Sequence, residues 1–174
     1  DLSRITRREI AAVRMKTGFV FQSFNLFANR TALQNVNAVL GDKKAALPAA
    51  EAWLEAVGLQ DAADKYPSEL SGGMAQRAGI LAATILNPKL LLADEPTSAL
   101  DTITQISVVK ELLKLRERQR IAIVIVTHHM GLAAYMADKI LVLRGGRQIE
   151  FGTKQQIFNS PQEMYTRELI KAAA

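Results

Sequence analysis

The sequence predicts an α/β fold: a parallel sheet with a helical insertion between two of its strands and helices at the C-terminal end. Three observations predict it. From Lys89 onward, short β-prone runs alternate with helical periodicity. Residues 121–126, Ile-Ala-Ile-Val-Ile-Val, form the continuous apolar run expected of a parallel strand covered on both faces. Residues 32–86 carry helical signal and almost no strand signal, so they read as an insertion rather than as part of the alternation.

Taken in order, residues 4–14 read as a short surface helix and 17–21 as a buried strand. Residues 22–31 are polar, with Phe24, Leu26 and Phe27 interspersed, so they read as a loop with apolar anchors. Gly41-Asp42, Pro48, Gly58 and Pro67 cut residues 32–86 into short helices. The last of these, 74–86, places Met74, Ala78, Leu81, Ala82 and Ile85 on one stripe. A short apolar strand follows at 90–93, then an amphipathic helix at 102–118 with Ile106, Val109 and Leu113 on one face. After the strand at 121–126 come a helix at 130–137 and a strand at 139–143. A turn through Arg144-Gly145-Gly146-Arg147 leads into a hairpin partner at 148–151. Helices at 153–158 and 161–172 complete the chain.

Composition narrows the class. With 49% apolar and 22% charged residues, the 174-residue chain has the balance of a globular domain with its own core. Its longest apolar runs are far too short to cross a bilayer, and no N-terminal stretch has the order of a signal peptide. The absence of cysteine excludes disulfides and thiolate metal sites, and a reducing, cytosolic setting is expected. Asn29-Arg30-Thr31 matches a glycosylation sequon, which means little without a secretion signal. The net charge is +5, and its densest basic stretch holds Arg4, Arg7, Arg8, Arg14 and Lys16. With no aromatic platform beside it, this stretch reads as a solvated helix face that anionic lipid would suit, and nucleic acid is not expected as a partner.

Four groups of residues carry chemistry. Asp94 and Glu95 follow the strand at 90–93 directly, and in open α/β sheets ligands bind beyond the carboxyl ends of strands. One acid there can hold magnesium and its neighbour can deprotonate a water; adjacent residues on extended chain point opposite ways, so their tasks differ. Alone, such a pair reads as a solvated acidic turn; the apolar strand before it and Pro96-Thr97-Ser98 after it favour the functional reading. Ser71-Gly72-Gly73 opens the helix at 74–86, where unpaired N–H groups and the helix dipole suit a phosphate, though alone the triplet reads as a plain cap. His128 and His129, the chain's two histidines, follow the strand at 121–126; they read either as phosphate donors or as turn residues. Gln22 stands at the end of the strand at 17–21.

Together these pieces resemble the ATPase domain of an ABC transporter. Phe21-Gln22 resembles the Q-loop, Leu70-Ser71-Gly72-Gly73-Met74 the LSGGQ signature, and Leu90 to Glu95 the Walker B strand. Ser98-Ala99-Leu100-Asp101 is similar to the D-loop and Thr127-His128 to the switch histidine. The resemblance implies a P-loop NTPase-like sheet with an inserted helical subdomain. It divides the chain into a strand and Q-loop (17–31), a helical subdomain (32–86), an α/β core (87–151) and C-terminal helices (152–174). It covers only the part of the family domain downstream of Walker A. None of the ten glycines is followed by lysine, so the Gly-Lys-Ser/Thr phosphate loop is absent from these residues. The expectation is therefore a cassette without its N-terminal strands and Walker A, weakly active at best and prone to aggregate.

The resemblance also implies roles. Asp94 would hold Mg2+ through water, Glu95 would be the general base, and His128 would contact the γ-phosphate. Gln22 would touch the metal or the water and relay movement. Ser71, Gly72 and Gly73 would bind ATP held by a second ATPase subunit, and Asp101 would couple the two sites. Met74 stands where most members have Gln, and His129 where they have Asp. ATP and Mg2+ are the implied ligands, permease subunits the implied membrane partners, and the cytoplasmic face of the membrane the implied location. The tail Ser160 to Arg167 resembles importers of oligopeptides, dipeptides and nickel, whereas Gln22 to Phe27 and Pro96 to Asp101 equally suit amino-acid or lipoprotein-release systems. Two other readings stay open: a non-catalytic partner lending its signature to a complete subunit, and a soluble ABC ATPase acting on nucleic acid or ribosomes.

Overall fold

A computed structural model describes residues 6–98 and 100–172. Asp1-Leu2-Ser3, Arg4, the first residues of the helix expected at 4–14, and Ala99 of the stretch Ser98 to Asp101 lie outside the described residues. The fold divides after Val126 into two units, Asp1–Val126 and Thr127–Ala174.

The first unit is built on three parallel strands, β1 (Thr17–Val20), β2 (Leu90–Asp94) and β3 (Ala122–Val126), in the order β1-β2-β3. Val20 lies opposite Ala93, and Ala93 opposite Ile125, so all three strands end at the same edge. Helix α1 (Arg7–Met15) precedes β1 and starts at a reciprocal cap: the Glu9 carboxylate accepts from the Thr6 N–H at 2.7 Å and the Glu9 N–H donates to the Thr6 hydroxyl. Between β1 and β2 run α2 (Ala32–Val39), α3 (Leu47–Ala56) and α4 (Gly72–Thr84), with short 3-10 turns at Lys44–Ala46, Gln60–Ala62 and Pro67–Glu69. Between β2 and β3 runs α5 (Thr102–Gln119), ended by Arg120 in the left-handed conformation at φ 53°.

Helix α4 is the centre of this unit. On one side Ala78 and Leu81 join Ala32, Val36, Ala50, Leu54 and Leu59 in an apolar cluster with α2 and α3. Fully burying each large side chain of that cluster contributes about 1.5–3 kcal/mol. On the other side α4 lies so close to β1 that a β-carbon on Gly18 would run into the Ala83 carbonyl oxygen. The single apolar stripe expected at 74–86 is therefore too narrow a description. Ala75, Gln76, Gly79, Ile80 and Thr84 are buried as well, and the helix starts two residues earlier, on the glycine pair.

Two further expectations are corrected. The buried face of α5 is Val108, Val109 and Leu112; of the three residues expected there Val109 is buried, Leu113 is partly buried and Ile106 is 51% exposed. Among the described residues the sheet is well covered on one face only. Val20, Leu91 and Ala93 are buried, but in register on the opposite face Phe19 and Val124 are 45% and 51% exposed. An apolar run reports hydrophobicity and not the layer above it, so residues 121–126 do not by themselves specify two covered faces.

The second unit holds α6 (Met130–Met136), an antiparallel hairpin of β4 (Lys139–Arg144) and β5 (Arg147–Thr153), then α7 (Lys154–Asn159) and α8 (Met164–Ala172). Gly145 and Gly146 both take positive φ, as a tight two-residue turn requires. Ile157, Val142, Leu132 and Met136 supply its buried apolar residues. The helix expected from 161 starts instead at Met164, because the preceding residues bond to the hairpin. The Glu150 carboxylate accepts from the Gln162 and Glu163 N–H groups at 2.9 and 3.2 Å. Arg167 donates to the Pro161 and Gln162 carbonyls, and Arg144 stacks over the Tyr165 ring.

Candidate functional site

The carboxyl edge of the three-stranded sheet carries Asp94 and Glu95, and Gln22 follows the strand beside them. Asp94 ends the central strand, opposite Val126, and is exposed. Glu95 is partly buried, and its N–H donates to the Val126 carbonyl at 2.9 Å. Its backbone sits in the left-handed region at φ 46°, which costs a non-glycine residue roughly 1–2 kcal/mol. That turn ends the strand. Such strained positions cluster at functional sites when the surroundings over-determine them. Here the surroundings do. The Glu95 carbonyl accepts from the Ser98 hydroxyl at 3.1 Å, the Pro96 carbonyl from Gln76 Nε2 at 2.7 Å, and the Thr97 and Leu100 carbonyls from Gln105 Nε2 at 3.0 and 3.1 Å.

Ser71 is the N-cap of α4; its hydroxyl accepts from the Met74 N–H at 3.3 Å. Gly72 and Gly73 are the first helical residues, so their N–H groups are among those a helix leaves unpaired. Gly73 also has a packing reason: a β-carbon there would collide with the Thr104 methyl at the start of α5. Ser71, Gly73, Arg77, Ile103, Thr104 and Ser107 line a shared open pocket of about 260 Å³. Asp101 caps α5, accepting from the Thr104 N–H at 3.0 Å and the Thr104 hydroxyl at 2.6 Å. The hydroxyl and then the amide hold the Asp101 carboxyl below the usual carboxylate range.

Gln22 is exposed in a turn just beyond β1. The loop after it carries two consecutive left-handed residues, Phe24 and Asn25, and the Phe24 carbonyl passes so close to α4 that Gly79 has no room for a side chain. Asn35 on α2 holds the far end of the loop. Its carbonyl accepts from the Phe27 N–H at 2.7 Å and its amide donates to the Phe27, Arg30 and Thr31 carbonyls. Asn35, Gln76 and Gln105 were not singled out from the sequence. Each is a polar residue in a helix interior, and only burial separates it from a solvated one.

The histidines belong to the second unit. His129 is the N-cap of α6, its Nδ1 accepting from the Leu132 N–H at 3.2 Å, which commits that nitrogen to the helix. His128 precedes it and is exposed.

Among the described residues no group of three or more His, Cys, Asp or Glu side chains could hold a metal by themselves. Asp94 and the Gln22 amide, both exposed, carry oxygens of the hard type that a magnesium ion takes. No helix of the described residues is long and apolar enough to cross a membrane.

Comparison with known proteins shows the family. The family model for ABC transporters matches residues 1–98. The methionine import ATP-binding protein MetN of Staphylococcus haemolyticus is 39% identical over 98% of this chain and 51% of its own length. MetN 3 of Shouchella clausii is 40% identical over 99% of this chain and 52% of its own. A probable amino-acid ABC transporter ATP-binding protein of Sinorhizobium fredii is 41% identical over 96% of this chain and 67% of its own. The chain thus spans about half the length of the methionine-import relatives it matches. A solved dimeric ATP-binding cassette, MJ0796 in a post-hydrolysis state with ADP and Pi, superposes with a TM-score of 0.74 at 32% identity, covering 87% of this chain and 68% of that one.

Proposed function

The chain belongs to the ABC transporter family, and we propose that it acts in the ATP-binding subunit of an importer, coupling ATP hydrolysis to uptake of an amino acid, methionine foremost. The observation that carries this reading is the position of Asp94 and Glu95: at the carboxyl end of the central strand, with the Glu95 backbone held left-handed by bonds to β3, α4 and α5.

In this reading Glu95 accepts the proton of the attacking water, and its partial burial favours a base that is not fully solvated. Asp94 and Gln22 face the magnesium that accompanies ATP, whose charge neutralises the phosphates. His128 donates to the terminal phosphate. Ser71, Gly72 and Gly73 offer a helix N-terminus to ATP on a second ATPase subunit, and Asp101 connects the two sites. Met74 gives up the polar contact a glutamine would make, while Ser71 and the backbone N–H groups keep theirs. These 174 residues contain no Gly-Lys-Ser/Thr loop, so the main phosphate cradle is not among them. In this reading the loop at 22–31 and the helical layer at 32–86 are the surface for a permease, and the subunit works at the cytoplasmic face of the membrane.

Methionine or another amino acid is preferred over peptide or nickel because relatives covering nearly the whole chain are named for methionine and amino-acid transport. The tail that resembles the peptide and nickel group is accounted for inside its own unit, where Pro161, Gln162, Glu163, Tyr165 and Arg167 all contact the hairpin or one another. The test is uptake of labelled methionine, a dipeptide and nickel by cells with and without the gene. Selective loss of methionine uptake, restored by the wild-type gene and not by Glu95→Gln, supports the reading. Unchanged amino-acid uptake with loss of dipeptide or nickel uptake contradicts it.

A further inference from the structure

We infer that Gln76 is a positioning residue that fastens the loop carrying Glu95 to the helix carrying Ser71–Gly73, so that the acid serving one nucleotide and the cap serving another are set by a single buried hydrogen bond. The inference rests on the importer-ATPase reading for its functional meaning and on geometry for its existence.

Gln76 lies one turn into α4 and is 1% exposed. A glutamine so buried needs partners, because an unpaired buried amide costs free energy comparable to a lost hydrogen bond. Its Nε2 donates to the Pro96 carbonyl at 2.7 Å, across twenty residues of sequence. Pro96 is itself buried and has no N–H. Its carbonyl is therefore the one backbone hydrogen-bonding group that Pro96 itself offers.

The grip matters because of what precedes it. Glu95 is in the left-handed region at φ 46°, a conformation that relaxes unless both flanks are fixed. Its N–H is fixed to the Val126 carbonyl. Downstream, Gln76 fixes Pro96 and Gln105 fixes Thr97 and Leu100. Only Gln76 comes from the helix that begins at Ser71. The next residue of that helix, Arg77, faces the other way and donates to the Val57 carbonyl at the end of α3 and to the Gly73 carbonyl. One turn of α4 thus joins the helical layer on one side to the Glu95 loop on the other.

The test uses the full-length subunit in its membrane assembly. Gln76→Met keeps length and burial and removes the donor; Gln76→Glu keeps shape and sets an acceptor against the carbonyl. Leu81→Ala, on the same helix but facing the α2–α3 cluster, is the control for stability alone. In both Gln76 variants kcat for ATP falls about tenfold, the loss expected for one buried hydrogen bond, while KM for ATP stays within about twofold. Hydrogen exchange at the amides of residues 95–100 speeds up to a similar degree. Leu81→Ala lowers the unfolding midpoint and leaves kcat and that local exchange as in the wild type. Wild-type kcat and exchange in both Gln76 variants, or the same changes in Leu81→Ala, overturn the inference. If the wild-type subunit hydrolyses no ATP, the importer reading fails by itself. Exchange at 95–100 then still decides the link: faster in Gln76→Met upholds it, unchanged exchange refutes it.

Discussion

The methyl group of Thr104 occupies the space that a side chain on Gly73 would need, so the first turns of α4 and α5 meet at that point. Thr104 cannot turn aside freely, because its hydroxyl and N–H both bond to Asp101. Thr104 thus links Asp101, the cap of α5, to Gly73 at the start of α4. Gly73→Ala should destabilise the protein by about 1–3 kcal/mol, although alanine in a helix is otherwise favoured over glycine. Thr104→Ser removes the methyl and keeps the hydroxyl, so it should restore most of the loss in the double variant. Urea unfolding of the four proteins measures the coupling; additive effects would show that the two residues do not meet.

Asn35 holds the loop after Gln22 through one accepted and three donated hydrogen bonds while only 3% exposed. Asn35→Ala strands these groups, and a loss of about 2–4 kcal/mol is expected. Limited proteolysis should then cut first within residues 22–31. Cutting elsewhere first would mean that the loop is held by other contacts.

Asp101 supplies a pH signature. Its carboxyl is held below the usual range by Thr104, so the unfolded chain binds that proton more readily than the folded one. The stabilisation is therefore present above the ordinary carboxylate range and is lost as pH falls through the lowered folded value. Wild type should exceed Asp101→Ala in unfolding midpoint by most at neutral pH, and the gap should narrow in acid. A gap that widens in acid would reverse the sign and contradict the cap geometry.

A polypeptide of these 174 residues alone should bind ATP poorly, since it has no Gly-Lys-Ser/Thr and each missing charge-assisted phosphate contact is worth about 1.5–3 kcal/mol. Calorimetry should find a Kd no tighter than about 1 mM. Micromolar binding would mean that the acids, His128 and Gln22 hold nucleotide without that cradle.

Much of this was legible because the chemistry lies at element ends, where sequence signals are sharp. Ser71 is a side-chain cap, Gly145-Gly146 is a tight turn, and the apolar run 90–93 leads directly to Asp94. What escaped lies between elements. Gln76, Gln105 and Asn35 carry no local mark, because their partners are carbonyls distant in sequence or hidden in irregular loops. On α5 Val109 was read correctly, but Ile106 and Val108 are equally apolar neighbours of that stripe, and only burial separates them. Residues 121–126 read as covered on both faces because Phe19 and Val124 are as apolar as buried residues.

The account turns on Glu95 as the base for hydrolysis within its own subunit. The most direct measurement is steady-state ATP turnover by the full-length subunit carrying Glu95→Gln, which keeps size and removes the proton acceptor. Turnover should fall by about 10²–10⁴-fold with ATP binding retained, the range expected on losing a general base. Turnover within a few-fold of wild type would contradict the account.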